Sequence, residues 1–237
     1  MWLTILLLGL AGGVVSTLIG FGGGMILAIA LALTVSPLAA LAVASIALLS
    51  GNVHRLLLFR HELRAADVYR WALGIVVGSV AGGMLVHHLP DWVLRGAFVV
   101  TAVAAIVPRP RAQERPARAA VLVPAGGAIG FIGAGTAGVG PLASSTLMAT
   151  GHGGERYIAL MATTGVAVNI GRVVGYGSSG ALQLSWLWAS GLAAAGLLAG
   201  NFLGKRIRAD LSDRRREQLE KAVPWVCLVL AVVGLVA

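Results

Sequence analysis

Residues 2–36 read WLTILLLGLAGGVVSTLIGFGGGMILAIALALTVS, an apolar run without Asp, Glu, Lys or Arg that is cut by Gly20, Gly22, Gly23 and Gly24. Uncharged apolar runs of about 18 residues or more are membrane-span candidates, and a glycine cluster inside one breaks the helix. The stretch therefore reads as a helix over about Trp2 to Ile19, a break, and a short helix ending near Ser36-Pro37. A piece of about twelve residues rises about 18 Å, too little for a hydrocarbon core of about 30 Å. The two pieces form a glycine-broken helical hairpin.

The rest of the chain agrees with a membrane reading. Of 237 residues 58% are hydrophobic and 11% charged, where a soluble domain has roughly half and a quarter. No Asp, Glu, Lys or Arg occurs from Met1 to Val53, from Ala119 to Gly154 or from Val173 to Gly204. The net charge of +9 sits in short basic segments between apolar runs, as cytoplasmic loops do under the positive-inside rule. There is no folded basic face for nucleic acid. No Arg or Lys precedes Arg55, so a cleaved signal peptide is not expected. The single cysteine, Cys227, rules out a disulfide within the chain and reads as a buried thiol.

Beyond the first hairpin, long helices are expected over about Leu38 to Phe59, Val68 to His88 and Trp92 to Val107. A polar linker with three prolines and four arginines follows over 108–118. The order then repeats: Ala119 to Ile132, a break from Gly133 to Gly140, a short helix from Pro141 to Thr150, then Glu155 to Tyr176, Gln183 to Gly204 and about Arg215 to Val236. Residues match between the halves. Ala11-Gly12-Gly13 recurs as Ala125-Gly126-Gly127, Gly20-Phe21-Gly22 as Gly133-Ala134-Gly135, Asn52 and Arg55 as Asn169 and Arg172, and Trp71-Ala72 with Gly74 as Trp188-Ala189 with Gly191. The chain is read as one membrane domain of two repeats, 1–107 and 119–237, joined by the basic linker 108–118.

Loop charge gives the orientation. Arg60, Arg64 and the linker arginines place the first-half loop after the third segment and the linker in the cytoplasm. In the second half the corresponding loop, Gly177 to Leu182, is uncharged, and the basic segment is the next one, with Lys205, Arg206, Arg208, Arg214, Arg215 and Arg216. Both basic regions share a side only if the second half is inverted, which requires each hairpin to go in and come back out. The expected fold is all-α and polytopic: two inverted repeats, each a re-entrant hairpin plus three transmembrane helices, in the inner (plasma) membrane with both termini outside. A kinked single crossing at each break is the alternative, and it leaves the most basic loop on the wrong side.

Re-entrant backbone survives at membrane depth only against protein or a water-filled cavity, and half-helix N-termini aim unpaired N–H groups and a positive dipole end at a ligand. Gly22, Gly23, Gly24, Gly135, Gly138 and Gly140 would let an anion approach the backbone near the midplane. Ser16, Thr17, Ser45, Thr136, Ser144, Ser145, Thr146, Thr163 and Thr164 could add hydroxyl donors, although such residues often bond back to their own helix. Asn52 with Arg55 and Asn169 with Arg172 are sharper candidates, since an ionisable group within a membrane helix points to function. For Gly78, Gly82, Gly83, Gly196 and Gly200 helix packing is the simpler reading.

All nine carboxylates fall in or beside loops, leaving none at mid-membrane for a proton relay, a sodium site or a hydrolase. Transport would be passive or carry its proton on a weak acid. His54, His61, His87, His88 and His152 have no metal-binding spacing. No metal, cofactor or enzymatic activity is expected; the partners are a small anion and the bilayer, with a homodimer left open.

Gly20-Phe21-Gly22-Gly23-Gly24, the Pro37-to-Ser45 helix entry, the Arg64 to Trp71 loop before a glycine-rich helix, and Gly133 to Leu142 together resemble the sulfite exporter TauE/SafE family over nearly the whole chain. The chain differs where that family commonly has a proline after the first glycines, having Ile26-Leu27-Ala28, and Thr136-Ala137 interrupts the second cluster. The resemblance implies export or uptake of sulfite or organosulfonates, with small carboxylates as an alternative substrate class, and the glycine tips with their neighbouring hydroxyls as the site. A non-transporting role in assembly of a membrane complex is the remaining alternative.

Overall fold

The computed structural model describes residues 2–63, 65–107, 119–149 and 154–236. The linker 108–118, Arg64 and His152 lie outside the described residues. Among the described residues the secondary structure is helical, with no strand. The helices are α1 (Trp2–Ile19), α2 (Gly23–Ala32), α3 (Pro37–Leu58), α4 (Ala65–Val86), α5 (Asp91–Ile106), α6 (Ala119–Ala134), α7 (Gly140–Ala149), α8 (Gly154–Ser178), α9 (Leu187–Asp210) and α10 (Asp213–Val236).

Local chemistry sets several of these boundaries. Helix α1 stops where Gly20 and Gly22 take φ of 88° and 89°, a region costly for any residue with a β-carbon. Helix α3 starts on a Ser36 cap whose Oγ accepts from the Ala39 amide at 3.2 Å, with Pro37 in the first turn. One boundary departs from expectation. Helix α9 runs to Asp210, so Lys205, Arg206 and Arg208 belong to its last turns rather than to a loop, and Arg214 to Arg216 sit in the first turns of α10. Cations complement the partial negative charge of a helix C-terminus, which favours the extension of α9.

Helices α1, α3, α8, α9 and α10 and the stretch Tyr69–Val86 of α4 are long and apolar enough to cross a membrane. Helix α5, expected as a full span, has 16 residues, about 24 Å of rise.

Close packing of α1 along α9 and of α4 along α6 holds the molecule together. A β-carbon at Gly74, Gly78 or Gly82 of α4 would lie 2.2, 2.0 or 2.4 Å from the carbonyl oxygen of Val123, Gly127 or Phe131 of α6. At Gly196, Gly200 and Gly204 of α9 it would lie 2.2, 2.2 and 3.0 Å from those of Leu6, Leu10 and Val14 of α1. These are packing glycines, as Gly83 also is, 3.2 Å from the Gly175 Cα. In each pair the residue numbers rise together, so the helices are parallel. One set of contacts maps onto the other by a shift of 117 residues from α1 to α6 and 122 from α4 to α9. That register differs from the sequence match of Trp71 with Trp188 and Gly74 with Gly191. Trp71 is buried at 1% exposure, Trp188 is 41% exposed, and a β-carbon at Gly191 would touch nothing. Apolar helices repeat the same few residue types, so single matches drift by a turn, whereas interhelical contacts do not.

Contacts along the hairpin follow its direction. The Trp2 and Trp188 rings lie 4.3 Å apart at the start of α1 and α9, and Arg208 near the end of α9 donates to the Leu18 carbonyl near the end of α1. Beyond α2, the Leu33 side chain faces Gly234 at the far end of α10, and Arg95 of α5 donates to the Gly234 carbonyl. Lys205 of α9 donates to the Leu58 carbonyl at 3.3 Å, which puts the end of α3 beside the end of α9.

Candidate functional site at the helix breaks

The two breaks meet. A β-carbon at Gly138 would lie 3.0 Å from Met25 Cγ, and one at Gly140 would lie 2.9 Å from Phe21 Cβ. Helices α2 and α7 thus begin beside one another, and α3 and α8, which pack together, close the space between them. This space is a cavity of about 60 Å³.

Its polar lining comes from Ser16, Asn52, Arg55, Asn169 and Arg172, and its apolar lining includes Phe21, Met25, Leu48, Val139, Met161 and Val168. Of the residues expected from sequence, Gly22, Gly24, Gly138, Gly140, Asn52, Arg55, Asn169 and Arg172 line the cavity. Gly23 and Gly135 do not. Gly23 faces α1, where a β-carbon would lie 1.8 Å from the Gly12 carbonyl oxygen; at Gly135 it would meet Val86 and Leu94.

Of the expected hydroxyl residues Ser16 lines the cavity and the others do not. Ser45 donates to Leu41 at 2.6 Å, Ser144 to Pro141 at 2.9 Å, Thr136 to Gly133 at 3.3 Å, Thr163 to Ala159 at 3.0 Å and Thr164 to Leu160 at 2.9 Å, all at backbone carbonyls of the preceding turn. In an apolar helix that carbonyl is the nearest acceptor, so the hydroxyl takes it. Thr164 also accepts from Trp71 Nε1 at 2.9 Å. Thr17 instead donates to Asn201 Oδ1 at 3.0 Å, and Asn201 Nδ2 donates to the Gly51 carbonyl at 2.6 Å, a buried bridge between α1, α9 and α3.

The arginines are organised in the same way in both halves. Arg55 donates from Nη1 to the Ser16 carbonyl at 2.8 Å and from Nη2 to Asn52 Oδ1 at 2.9 Å. Arg172 donates to Asn169 Oδ1 at 3.4 Å, to the Thr136 carbonyl at 2.7 Å and to the Gly133 carbonyl. Tyr176 donates to the carbonyl of Ala134. The Ser16 and Gly133 carbonyls, in the last turns of α1 and α6, accept from the Gly20 and Thr136 amides at 2.9 and 3.3 Å, and their second lone pair takes the arginine donor as a cap.

These caps decide the electrostatics. A broken hairpin brings the negative end of one half-helix beside the positive end of the next, and the two would largely cancel. Arg55 and Arg172 neutralise the negative ends and leave the N-termini of α2 and α7 unopposed. Both guanidiniums are buried, at 4% and 1% exposure. Among the described residues neither is ion-paired, and the Nε of each has no hydrogen-bond partner. Arginine stays protonated in proteins. The cavity therefore carries two positive charges without a carboxylate among its lining residues, within apolar walls where burying an unmatched charge is costly.

Sequence reasoning missed Gly165, Met161 and Leu48, which also line the cavity, and the Asn201 bridge. Asn201 carried a legible signal as the lone amide in the uncharged run before Lys205 that follows Gln183. Gly165 carried a weaker one, standing one helical turn before Asn169.

Neither the curated proteins nor the solved structures compared with the chain contain a significant match. The family model described as "Sulfite exporter TauE/SafE" matches residues 5–234, nearly the whole chain and both helix breaks. With its membrane-length helices and that match, this protein is a multi-pass membrane protein and belongs to the sulfite exporter TauE/SafE family of membrane transporters of sulfur anions.

Proposed function

We propose that the chain moves a small sulfur oxyanion across the inner membrane, holding it in the cavity between the opposed N-termini of α2 and α7. The observation that carries this reading is the pair of buried guanidiniums, Arg55 and Arg172, lining one cavity that no carboxylate lines. An anion would supply the missing counter-charge, and the apolar walls would strengthen the attraction by excluding water. Size agrees as well. At roughly 10–15 Å³ for each water-sized group, a cavity of about 60 Å³ suits a compact ion such as sulfite or the head of a short organosulfonate.

Two re-entrant hairpins that enter from opposite faces, in halves of inverted orientation, would present this site to each side in turn. Support comes from the contacts that recur between α1 and α9 and between α4 and α6, and from Leu33 returning to the α10 end of the molecule. It also comes from the juxtaposition of the α3 and α9 ends, which puts Arg60 on the same side as the α9–α10 cations. That side is the cytoplasmic one under the positive-inside rule, with the termini outside.

The test is uptake and efflux of labelled sulfite, short alkylsulfonates and small carboxylates in proteoliposomes holding the full chain. Saturable sulfite flux is expected, reduced about tenfold or more in the R55Q/R172Q double variant as two charge-assisted interactions are lost. If none of these anions moves or binds, the reading fails.

A further inference from the structure

The two Asn–Arg pairs match in sequence, but their amides differ in what they do. Asn169 Nδ2 donates to the Gly165 carbonyl at 2.7 Å while its Oδ1 accepts from Arg172, so both ends of that amide are engaged by protein. Asn52 Oδ1 accepts from Arg55 at 2.9 Å, yet Asn52 Nδ2 donates to no protein group among the described residues. Asn52 is buried at 9% exposure and lines the cavity. A carboxamide whose oxygen is held by a cation can turn only its NH₂ outward, which makes it a pure donor.

Gly165 makes room for that donor. A β-carbon there would lie 2.4 Å from Asn52 Nδ2 and 2.5 Å from its Cγ, far inside contact distance. The corresponding position in the first half, 117 residues earlier, is Leu48, whose side chain also lines the cavity, against Gly24. The open glycine of the second half thus faces the free amide donor of the first, whereas the first half has a leucine at the matching position and the amide of the second half is engaged.

We propose, resting on the anion-site reading above, that Asn52 is the neutral residue that contacts and selects the oxyanion. Arg55 acts as its positioning residue, Gly165 opens the space it occupies, and Asn169 has a structural role only. Recognition within the cavity is then one-sided despite the repeated motif. The anion takes both Asn52 N–H groups, while Arg55 and Arg172 supply charge.

The experiment compares N52D, N169D and G165A in the detergent-purified full chain, with sulfite as the probe in calorimetric titration and a thermal melt on each sample. N52D and N169D bring the same negative charge into the same cavity, so that penalty is common to both and their difference reports the free donor. N52D is expected to lose about tenfold more affinity than N169D, the effect of hydrogen bonds to a charged group. G165A, which leaves the number of charges unchanged and displaces the Asn52 carboxamide, is expected to weaken sulfite binding several-fold while the protein still melts cooperatively. Equal losses in N52D and N169D, or wild-type affinity in G165A, overturn the inference. Should N52D not fold, the G165A titration decides alone. A wild-type chain that binds no sulfite would instead overturn the anion-site reading beneath it.

Discussion

At the residue scale, Arg55 and Arg172 do two jobs at once. Each caps the carbonyl end of a half-helix, and each leaves its charge facing a cavity lined by glycine and apolar side chains. The glycines beside them divide by what a methyl group would strike. At Gly23 it meets backbone, the Gly12 carbonyl oxygen at 1.8 Å, together with Ser16 Oγ at 2.3 Å. Backbone cannot retreat, so G23A is expected to cost about 3 kcal/mol or more, read as loss of the monodisperse peak in size-exclusion chromatography. At Gly138 the nearest atom is Met25 Cγ at 3.0 Å, part of a flexible side chain. G138A is therefore expected to stay folded, within about 1 kcal/mol of the parent, and to reduce sulfite flux by narrowing the cavity; a stable G23A or an aggregated G138A would contradict this division. The arginines were legible in the sequence because charge inside an apolar run is rare and needs a partner. The hydroxyls were not, because Thr163 bonded back to its own helix and Thr163 facing a ligand have the same sequence.

Among the elements, glycine ridges let helices approach until their backbones touch. On α4 and α9 the glycines recur every four residues, at 74, 78 and 82 and at 196, 200 and 204, which places them on one face. In a membrane, packing of this kind replaces the hydrophobic effect as the force between helices. A valine at Gly78 would put its β-carbon 2.0 Å from the Gly127 carbonyl oxygen, whereas at Gly191 nothing lies within 4 Å. G78V is accordingly expected to cost about 3 kcal/mol or more and G191V less than about 0.5 kcal/mol, measured as detergent melting of purified protein. Both breaks were legible because clustered glycines lower helix propensity over several residues at once, whatever packs around them. The partnering of α1 with α9 and α4 with α6, each linking one half to the other, was not, since any small-residue face fits any other until the chain is folded.

For the molecule as a whole, the placement of the breaks depends on which ends share a side. If the halves are inverted, residues at the α3–α4 and α9–α10 connections label from the cytoplasm, and those at the α4–α5 and α8–α9 connections label from outside. The sole cysteine, Cys227, is fully buried, so a C227A background suits single-cysteine labelling. H61C and R215C, at exposed positions, are expected to react with an impermeant maleimide only in inverted vesicles, and D91C and S185C only in intact cells. Labelling of R215C from the same side as D91C would mean parallel halves. Loop charge alone supported the inverted arrangement, and the nearness of Lys205 to Leu58 now adds a contact to it.

The membrane class, the order of helices and the two glycine breaks followed from the sequence, because run length, charge and helix-breaking residues act locally. So did the suspicion that Asn52, Arg55, Asn169 and Arg172 matter, since ionisable groups are costly in hydrocarbon. Tertiary structure alone decided that the breaks meet, that Ser45, Ser144, Thr136, Thr163 and Thr164 bond back to the preceding turn while Thr17 bonds Asn201, and that Asn52 and Asn169 differ in spite of identical motifs. Those outcomes depend on which atoms of distant segments come within about 3 Å of each other, and spacing along the chain carries no record of that distance.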